Sequence, residues 1–307
     1  MPETTSVVEQ FEELRPRLFA IAYRMLSSAS EAEDVVQDAF LRFDQARPEE
    51  LRSPAAWLTA VVTNLCLDRL KSARARRERY VGPWLPEPVL TGDGSGASSG
   101  ALGPLETAEQ RESVSFAFLL LLERLNPRER AVFVLREAFA YGYDEIARIL
   151  GLSEANCRQL YHRARQHVSE ERARFQPSPR RRRELVERFI AAAEGGDLKA
   201  LEALFAEDVT MWGDGGGKVA AARHPLVGIA EVLRFLAGLA RRYADALTLR
   251  PAELNGGPGM LVYLDGKLDS AWSFDLDAEG GRITAIRGVR NPDKLVFLAR
   301  QLEPESG

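Results

Sequence analysis

Apolar residues recur at helical spacing through most of the first 175 positions and turn to strand-like alternation only toward the carboxy-terminal end. Between Tyr143 and Val168 (YDEIARILGLSEANCRQLYHRARQHV) the pattern predicts two short helices. Ile146, Ile149 and Leu150 share a face of the first, which Gly151 stops. Ser153 caps the second, whose inward stripe is Cys157, Leu160, Tyr161, Ala164 and Val168. Asn156, Arg158, Gln159, His162 and Arg163 point away from that stripe. The pair is either a helix-turn-helix or an amphipathic hairpin with a solvated polar face. As a helix-turn-helix its outward side chains suit a DNA major groove, where Arg grips guanine and Asn or Gln grips adenine, each good pair worth about 1–3 kcal/mol.

Upstream, Glu31–Phe43 places Ala32, Val35, Val36, Ala39, Phe40 and Phe43 on one face. The opposite face carries Glu33, Asp34, Gln37, Asp38, Leu41 and Arg42, acidic around one exposed leucine. A further helix is expected to start near Trp57, after a break at Pro54. Leu58, Val61, Val62 and Leu65 point inward, while Asn64, Asp68, Arg69 and Lys71 point largely outward and lead into a basic stretch ending at Arg79. Either polar face, taken alone, could be simply solvated.

Breaks in composition divide the chain. The expected domains are 7–80 and 109–175, both helical, joined by a linker at 81–108 whose Thr91–Pro104 portion is rich in Gly and Ser, and a unit at 180–307 that follows the QPSP string at Gln176–Pro179. In that last unit strands are expected at Ala246–Leu254, Met260–Leu264, Leu268–Phe274 and Ile283–Val289, with turns at NGGPG, LDGK and AEGGR.

Composition narrows this reading. A chain of 307 residues, 45% hydrophobic and 28% charged, is ordinary for a soluble multidomain protein. The net charge of −4 would argue against nucleic acid if it were uniform, but screening over about 8 Å makes the local basic clusters decisive. Cys66 and Cys157 lie far apart with no metal or redox spacing and read as small core residues. With no basic-then-apolar leader and no membrane-length apolar run, a cytoplasmic location is expected.

The blocks AYRMLSSASEAEDVVQDAFLRF (Ala22–Phe43) and SPAAWLTAVVTNLCLDRLKSARARRE (Ser53–Glu78), followed by the helix-turn-helix, resemble bacterial sigma factors of the extracytoplasmic-function group. The resemblance implies that region two binds core RNA polymerase and melts the minus-ten element, and that region four reads the minus-thirty-five element. Asp34, Gln37, Asp38 and Leu41 would then meet the clamp helices of the largest polymerase subunit. Asn64, Asp68, Arg69, Lys71 and Arg74 would approach minus-ten DNA, and Asn156, Arg158, Gln159, His162 and Arg163 the minus-thirty-five element. The loop Ala46–Pro54 lies where the family captures a flipped base; it is not aromatic, so no capturing residue is named. No cofactor is implied, because the polymerase supplies the chemistry.

The third unit, from ELVERFIAAAEGGDLKALEALFAEDVTMW (Glu184–Trp212), is similar to the opening helices of a SnoaL-like domain, an α+β cone with a curved antiparallel sheet. One sigma subgroup carries such a domain at its carboxy terminus. Its marks are present: WLPEP (Trp84, Leu85, Pro86, Glu87, Pro88), DGGGK (Asp214, Gly215, Gly216, Gly217, Lys218) and NPDKL (Asn291, Pro292, Asp293, Lys294, Leu295). The resemblance implies control by the fused domain without a separate anti-sigma factor. The three strings either meet at one interdomain contact, with Trp84 supplying apolar area and Asp214, Lys218, Asp293 and Lys294 supplying charge-assisted bonds, or stabilise separate turns. Trp212, Phe235, Tyr263 and Trp272 either line a pocket or pack the core. His224, Asp214 and Asp269 are the residues an enzyme on this fold would use, yet each also reads as a loop or capping residue, and no catalysis is expected. A helix-turn-helix regulator with a ligand-binding domain, or an enzyme with helical appendages, are the competing readings.

Overall fold

The computed structural model describes residues 7–46, 51–92, 101–102, 108–169, 179–243, 246–277 and 279–303. Two units emerge: Met1–Glu78, Ser99–Val114 and Phe118–Glu171 form the first; Arg79–Ser98, Ser115–Ala117 and Arg172–Gly307 form the second.

In the first unit, α1 (Val7–Leu26), α2 (Ala29–Gln45) and α3 (Pro54–Glu78) pack on one another. Ser28 caps α2 by accepting from the Glu31 amide at 3.1 Å, so the helix enters slightly earlier than its hydrophobic pattern indicates. Ala32, Val35, Val36, Ala39 and Phe43 are buried as expected, and half-buried Phe40 meets Phe11 edge-on at 4.9 Å. Pro54 opens α3 rather than breaking it, because the first turn needs no N–H from it; the expected start near Trp57 is corrected accordingly. The remaining helices are α4 (Ala108–Glu112), α5 (Phe116–Leu122), α6 (Pro127–Glu137), α7 (Tyr143–Leu150) and α8 (Glu154–Ser169). Asn126 and Glu129 form a reciprocal capping box at the start of α6. Gly151 ends α7 at φ +64°, and Ser153 accepts from the Asn156 amide at 3.2 Å to begin α8.

Helices α1 and α3 pack directly on α6, and α3 also packs on α7. Buried Arg130 of α6 donates to the Met25 carbonyl at 2.7 Å and pairs with Glu123 at 2.9 Å. Glu123 also pairs with Arg77 and accepts from Ser27 at 2.9 Å. Buried Arg24 donates to Ser113 Oγ at 2.9 and 3.0 Å, and Thr59 and Tyr141 hydroxyls lie 3.0 Å apart. Cys66 and Cys157 are both fully buried, and desolvation raises both thiols, Cys66 far above its ordinary value. Since the thiolate is the nucleophile, native protein should resist iodoacetamide at pH 8 while urea-unfolded protein is doubly alkylated within minutes. Rapid native modification, read by mass spectrometry, would contradict this core.

The second unit contains β1 (Leu90–Gly92), α9 (Pro179–Glu194), α10 (Leu198–Leu204), β2 (Phe205–Asp214), β3 (Leu226–Val227), α11 (Ile229–Tyr243), β4 (Leu247–Leu254), β5 (Gly257–Leu264), β6 (Lys267–Leu276), β7 (Ile283–Val289) and α12 (Pro292–Leu302). One seven-stranded sheet runs β1-β4-β5-β6-β7-β2-β3. It is mixed, not purely antiparallel, because β2 pairs parallel with β7. The end of the expected helical opening is corrected as well: Phe205–Asp214 is a strand, with Val209 and Met211 in the core at period two. Phe189, Phe205, Met260, Trp272, Phe274 and Ile286 are among the side chains that build the core between sheet and helices.

A candidate regulatory clasp and nucleic-acid surfaces

Strand β2 delivers Asp214 to the end of the sheet, where the glycine loop after it turns sharply. Gly216 and Gly217 adopt φ of +58° and +71°. A Cβ at Gly216 would collide with the Asn291 amide, and one at Gly217 would press on Val81. Glycine is therefore needed for both conformation and close approach.

Asp214 is fully buried yet saturated with donors. Its Oδ1 accepts from Tyr80 Oη at 2.5 Å and the Gly216 amide at 3.1 Å. Its Oδ2 accepts from the Leu85 amide at 2.9 Å and Lys294 Nζ at 2.7 Å. Lys294, also buried, donates to the Leu85 carbonyl at 2.5 Å and lies over the rings of Trp84 and Tyr80 at 4.2 and 4.7 Å. Asn291 donates to Tyr80 Oη at 2.8 Å and, by accepting from the Asp293 amide, caps α12. Burial first, then the bond to Asp214, pushes the Tyr80 phenol well above its ordinary value, so it remains a donor. Lys218 and Asp293 pair at 2.5 Å on the exposed rim.

Beyond this knot, Leu85, Pro86, Glu87, Pro88 and Val89 are buried in the second unit. Val89 exchanges hydrogen bonds with Asn255, at 3.0 Å to its side chain and 2.9 Å from its amide. Leu90 receives both polar ends of the Gln301 amide, and β1 pairs antiparallel with β4. The segment expected as linker is thus an edge strand of this sheet from Leu90 to Gly92. Trp84–Pro88, Asp214–Lys218 and Asn291–Lys294 converge at one place.

The same sheet bounds a cavity of about 380 Å³, mostly apolar, with Asp269, Tyr243 and Arg290 at one end. Phe235 and Trp272 line it. Trp212 and Tyr263 do not, because strand alternation turns them to the opposite face, where Arg287 covers Trp212 and Arg250 covers Tyr263. His224 is exposed and away from the cavity, and Asp269 is clamped by Arg290 at 2.9 and 3.0 Å.

On the first unit, Asp34, Gln37 and Leu41 are exposed and Asp38 half-exposed along α2; Leu41 keeps 52% of its surface. Arg69, expected with the outward side chains of α3, pairs with Asp34 at 3.4 Å and Asp38 at 3.1 Å. Asp68 and Lys71 pair in solvent at 2.7 Å. Exposed Asn64 reaches the Ile149 carbonyl of α7 at 3.5 Å. The Arg74 side chain and residues 47–50 of the base-capturing loop lie outside the described residues. Along α8, Arg158, Gln159, His162 and Arg163 are exposed and Asn156 half-buried. Arg158 pairs with Glu154 at 3.3 Å over the Tyr143 ring, and Arg163 pairs with Glu129 at 3.6 Å.

Sequence reasoning missed Tyr80, Asn255 and the buried Arg24 and Arg130. Tyr80 stands only four residues before Trp84, and nothing in its neighbours distinguishes a clasp donor from a helix-end aromatic.

Residues 10–76 match sigma-70 region 2, residues 115–168 match sigma-70 region 4, and residues 186–255 match a SnoaL-like domain. Over 296 residues the chain is 40% identical to the ECF RNA polymerase sigma factor SigJ of Mycobacterium tuberculosis, covering 94% of this chain and 92% of that protein. It is 33% identical over 289 residues to the probable ECF sigma factor SigI of the same species, covering 94% of each. The crystal structure of M. tuberculosis SigJ aligns with a TM-score of 0.74 at 36% identity, covering 94% of this chain and 98% of that one.

Proposed function

The chain belongs to the extracytoplasmic-function sigma factors of RNA polymerase, and from that premise we propose that its second unit is a built-in governor acting by its grip on the connector between regions two and four. As a sigma factor the protein is a non-enzymatic initiation factor that binds core polymerase and promoter DNA. The observation that carries the regulatory reading is the buried Asp214–Lys294 pair closed around Tyr80 and Leu85. Helix α3 ends at Glu78 and α4 begins at Ala108. While Tyr80–Gly92 is held, those residues are withdrawn from the span between them; release returns them to it. Connector length sets the separations two tethered domains can adopt, so the clasp tunes how the regions meet promoter and polymerase. A governor within the chain would serve where other sigma factors use a separate anti-sigma protein.

The α2 face around Asp34, Gln37, Asp38 and Leu41 is the surface proposed for the clamp helices. Asn64, Asp68, Arg69, Lys71 and Arg74 on α3 are proposed for minus-ten DNA, and Asn156, Arg158, Gln159, His162 and Arg163 on α8 for the minus-thirty-five element. Because Asn64 abuts α7, we read the first unit as a closed, promoter-free form whose regions part on engagement. His224 is exposed and Asp269 is clamped by Arg290, so these two are not set as an acid–base pair.

Run-off transcription with purified core polymerase tests the regulatory reading. Full-length protein and its Trp84→Ala variant should start at the same promoter position, with outputs differing by about fivefold or more, the lower range of allosteric couplings. Identical output at all polymerase concentrations would defeat the governor.

A further inference from the structure

The second unit carries a mostly apolar pocket of about 380 Å³, a volume within the range of small-molecule sites. Its walls include Phe189, Leu239, Met260 and Trp272. At its polar end Asp269 and Arg290 neutralise each other, and the further cation that borders the cavity, Arg242, is exposed and lies over the Tyr243 ring. Arg290 Nε donates to both oxygens of Asp269 at 3.0 Å, and Arg290 Nη1 donates to the Ala220 carbonyl at 2.8 Å. A ligand carboxylate would face Asp269 and a ligand ammonium would face Arg290. A neutral hydrogen-bonding group suits both.

The cavity and the clasp are opposite faces of one sheet end. In β2, Gly213 borders the cavity and the next residue, Asp214, turns to the clasp. Alongside, Gly288 of β7 also borders the cavity and sits in register with Gly213, while Val289 is in register with Asp214. The chain then places the Arg290 guanidinium in the cavity and the Asn291 amide on Tyr80, and both backbone N–H groups donate to the Asp214 carbonyl at 2.8 Å. A ligand whose contact with Arg290 displaces its backbone would move the hydrogen bonds closing the clasp.

We propose that this cavity binds a small, neutral, largely apolar molecule with one hydrogen-bonding end, and that occupancy is coupled to the clasp through Arg290 and Asn291. The binding half stands on the cavity and the coupling half on the clasp geometry; only the use of that coupling to control transcription rests on the governor reading above.

The test titrates N-phenyl-1-naphthylamine, a neutral apolar fluorophore with one N–H donor, into full-length protein. One saturable site is expected. Leu239→Trp, which fills the wall, should weaken it tenfold or more, and Ala193→Leu, a milder filling, should weaken it less, with thermal melts confirming that both variants fold. Linkage is reciprocal, so Trp84→Ala, which lies off the cavity wall, should shift the dye affinity by about fivefold. Absence of saturable binding, or binding indifferent to both wall variants, overturns the site. Dye affinity unchanged by Trp84→Ala overturns the coupling. If transcription nevertheless responds to Trp84→Ala, the governor reading survives that failure; if dye affinity shifts while transcription does not, the coupling stands and the governor fails.

Discussion

Asp214→Ala should lower the stability of the second unit by about 3–5 kcal/mol, the cost typical of removing one partner from a buried ion pair. The side chain satisfies Tyr80 Oη, the amides of Leu85 and Gly216, and Lys294 Nζ, and its loss strands the buried ammonium. Lys294→Met should cost less, because the Asp214 carboxylate would keep its other three donors. Urea unfolding followed by circular dichroism gives both values. Equal losses, or losses below about 1 kcal/mol for Asp214→Ala, would mean that the pair is solvated in solution and the clasp open.

Arg130→Met should loosen the first unit by about 3 kcal/mol, again on the scale of a broken buried pair. Arg130 keeps 2% of its surface, and burial pushes its guanidinium down to about 9, so its charge is retained only with close partners. Those partners, the Met25 carbonyl and Glu123, connect α6 to the end of α1. Glu123 retains Arg77 and Ser27 in the variant, which keeps the expected loss at the lower end. Urea midpoints should fall, and small-angle scattering should register a larger radius of gyration as regions two and four part. A variant that is destabilised without expanding would place Arg130 in local folding rather than in closure.

Much of this architecture was legible because the helices obey their hydrophobic spacing. Ala32, Val35, Val36, Ala39 and Phe43, and the α8 stripe of Cys157, Leu160, Ala164 and Val168, are buried where periodicity put them. Strands β4 to β7 were found for the same reason at period two. The parallel pairing of β2 with β7 was not, since Phe205–Asp214 continues a helical pattern and strand partners far apart in sequence leave no local mark. Pro54 misled because a proline signals a helix start as readily as a stop. The meeting of the WLPEP, DGGGK and NPDKL strings was expected from the family resemblance and the glycines of DGGGK, as a contact between domains; the atoms that join them all belong to the second unit. Tyr80 escaped because its role depends on a carboxylate 134 residues later. Arg24 and Arg130 escaped because sequence alone gives arginine a solvent address, whereas here carbonyls, a serine and a glutamate compensate the burial.

If the second unit governs initiation by its grip on the connector, a reversible lock on β1 should change transcription. A Cβ built at Gly92 falls 3.5 Å from Glu253 Cβ, within disulfide range, and Gly92 needs no positive φ. Gly92→Cys with Glu253→Cys should therefore form a bond that fixes β1 on β4 when oxidised, while Cys66 and Cys157 stay buried. Run-off transcription with core polymerase would then compare oxidised and reduced forms of the same preparation. Outputs from one start site should differ by about fivefold or more and become equal to wild type on reduction. Equal output from the locked and unlocked forms would contradict the governor.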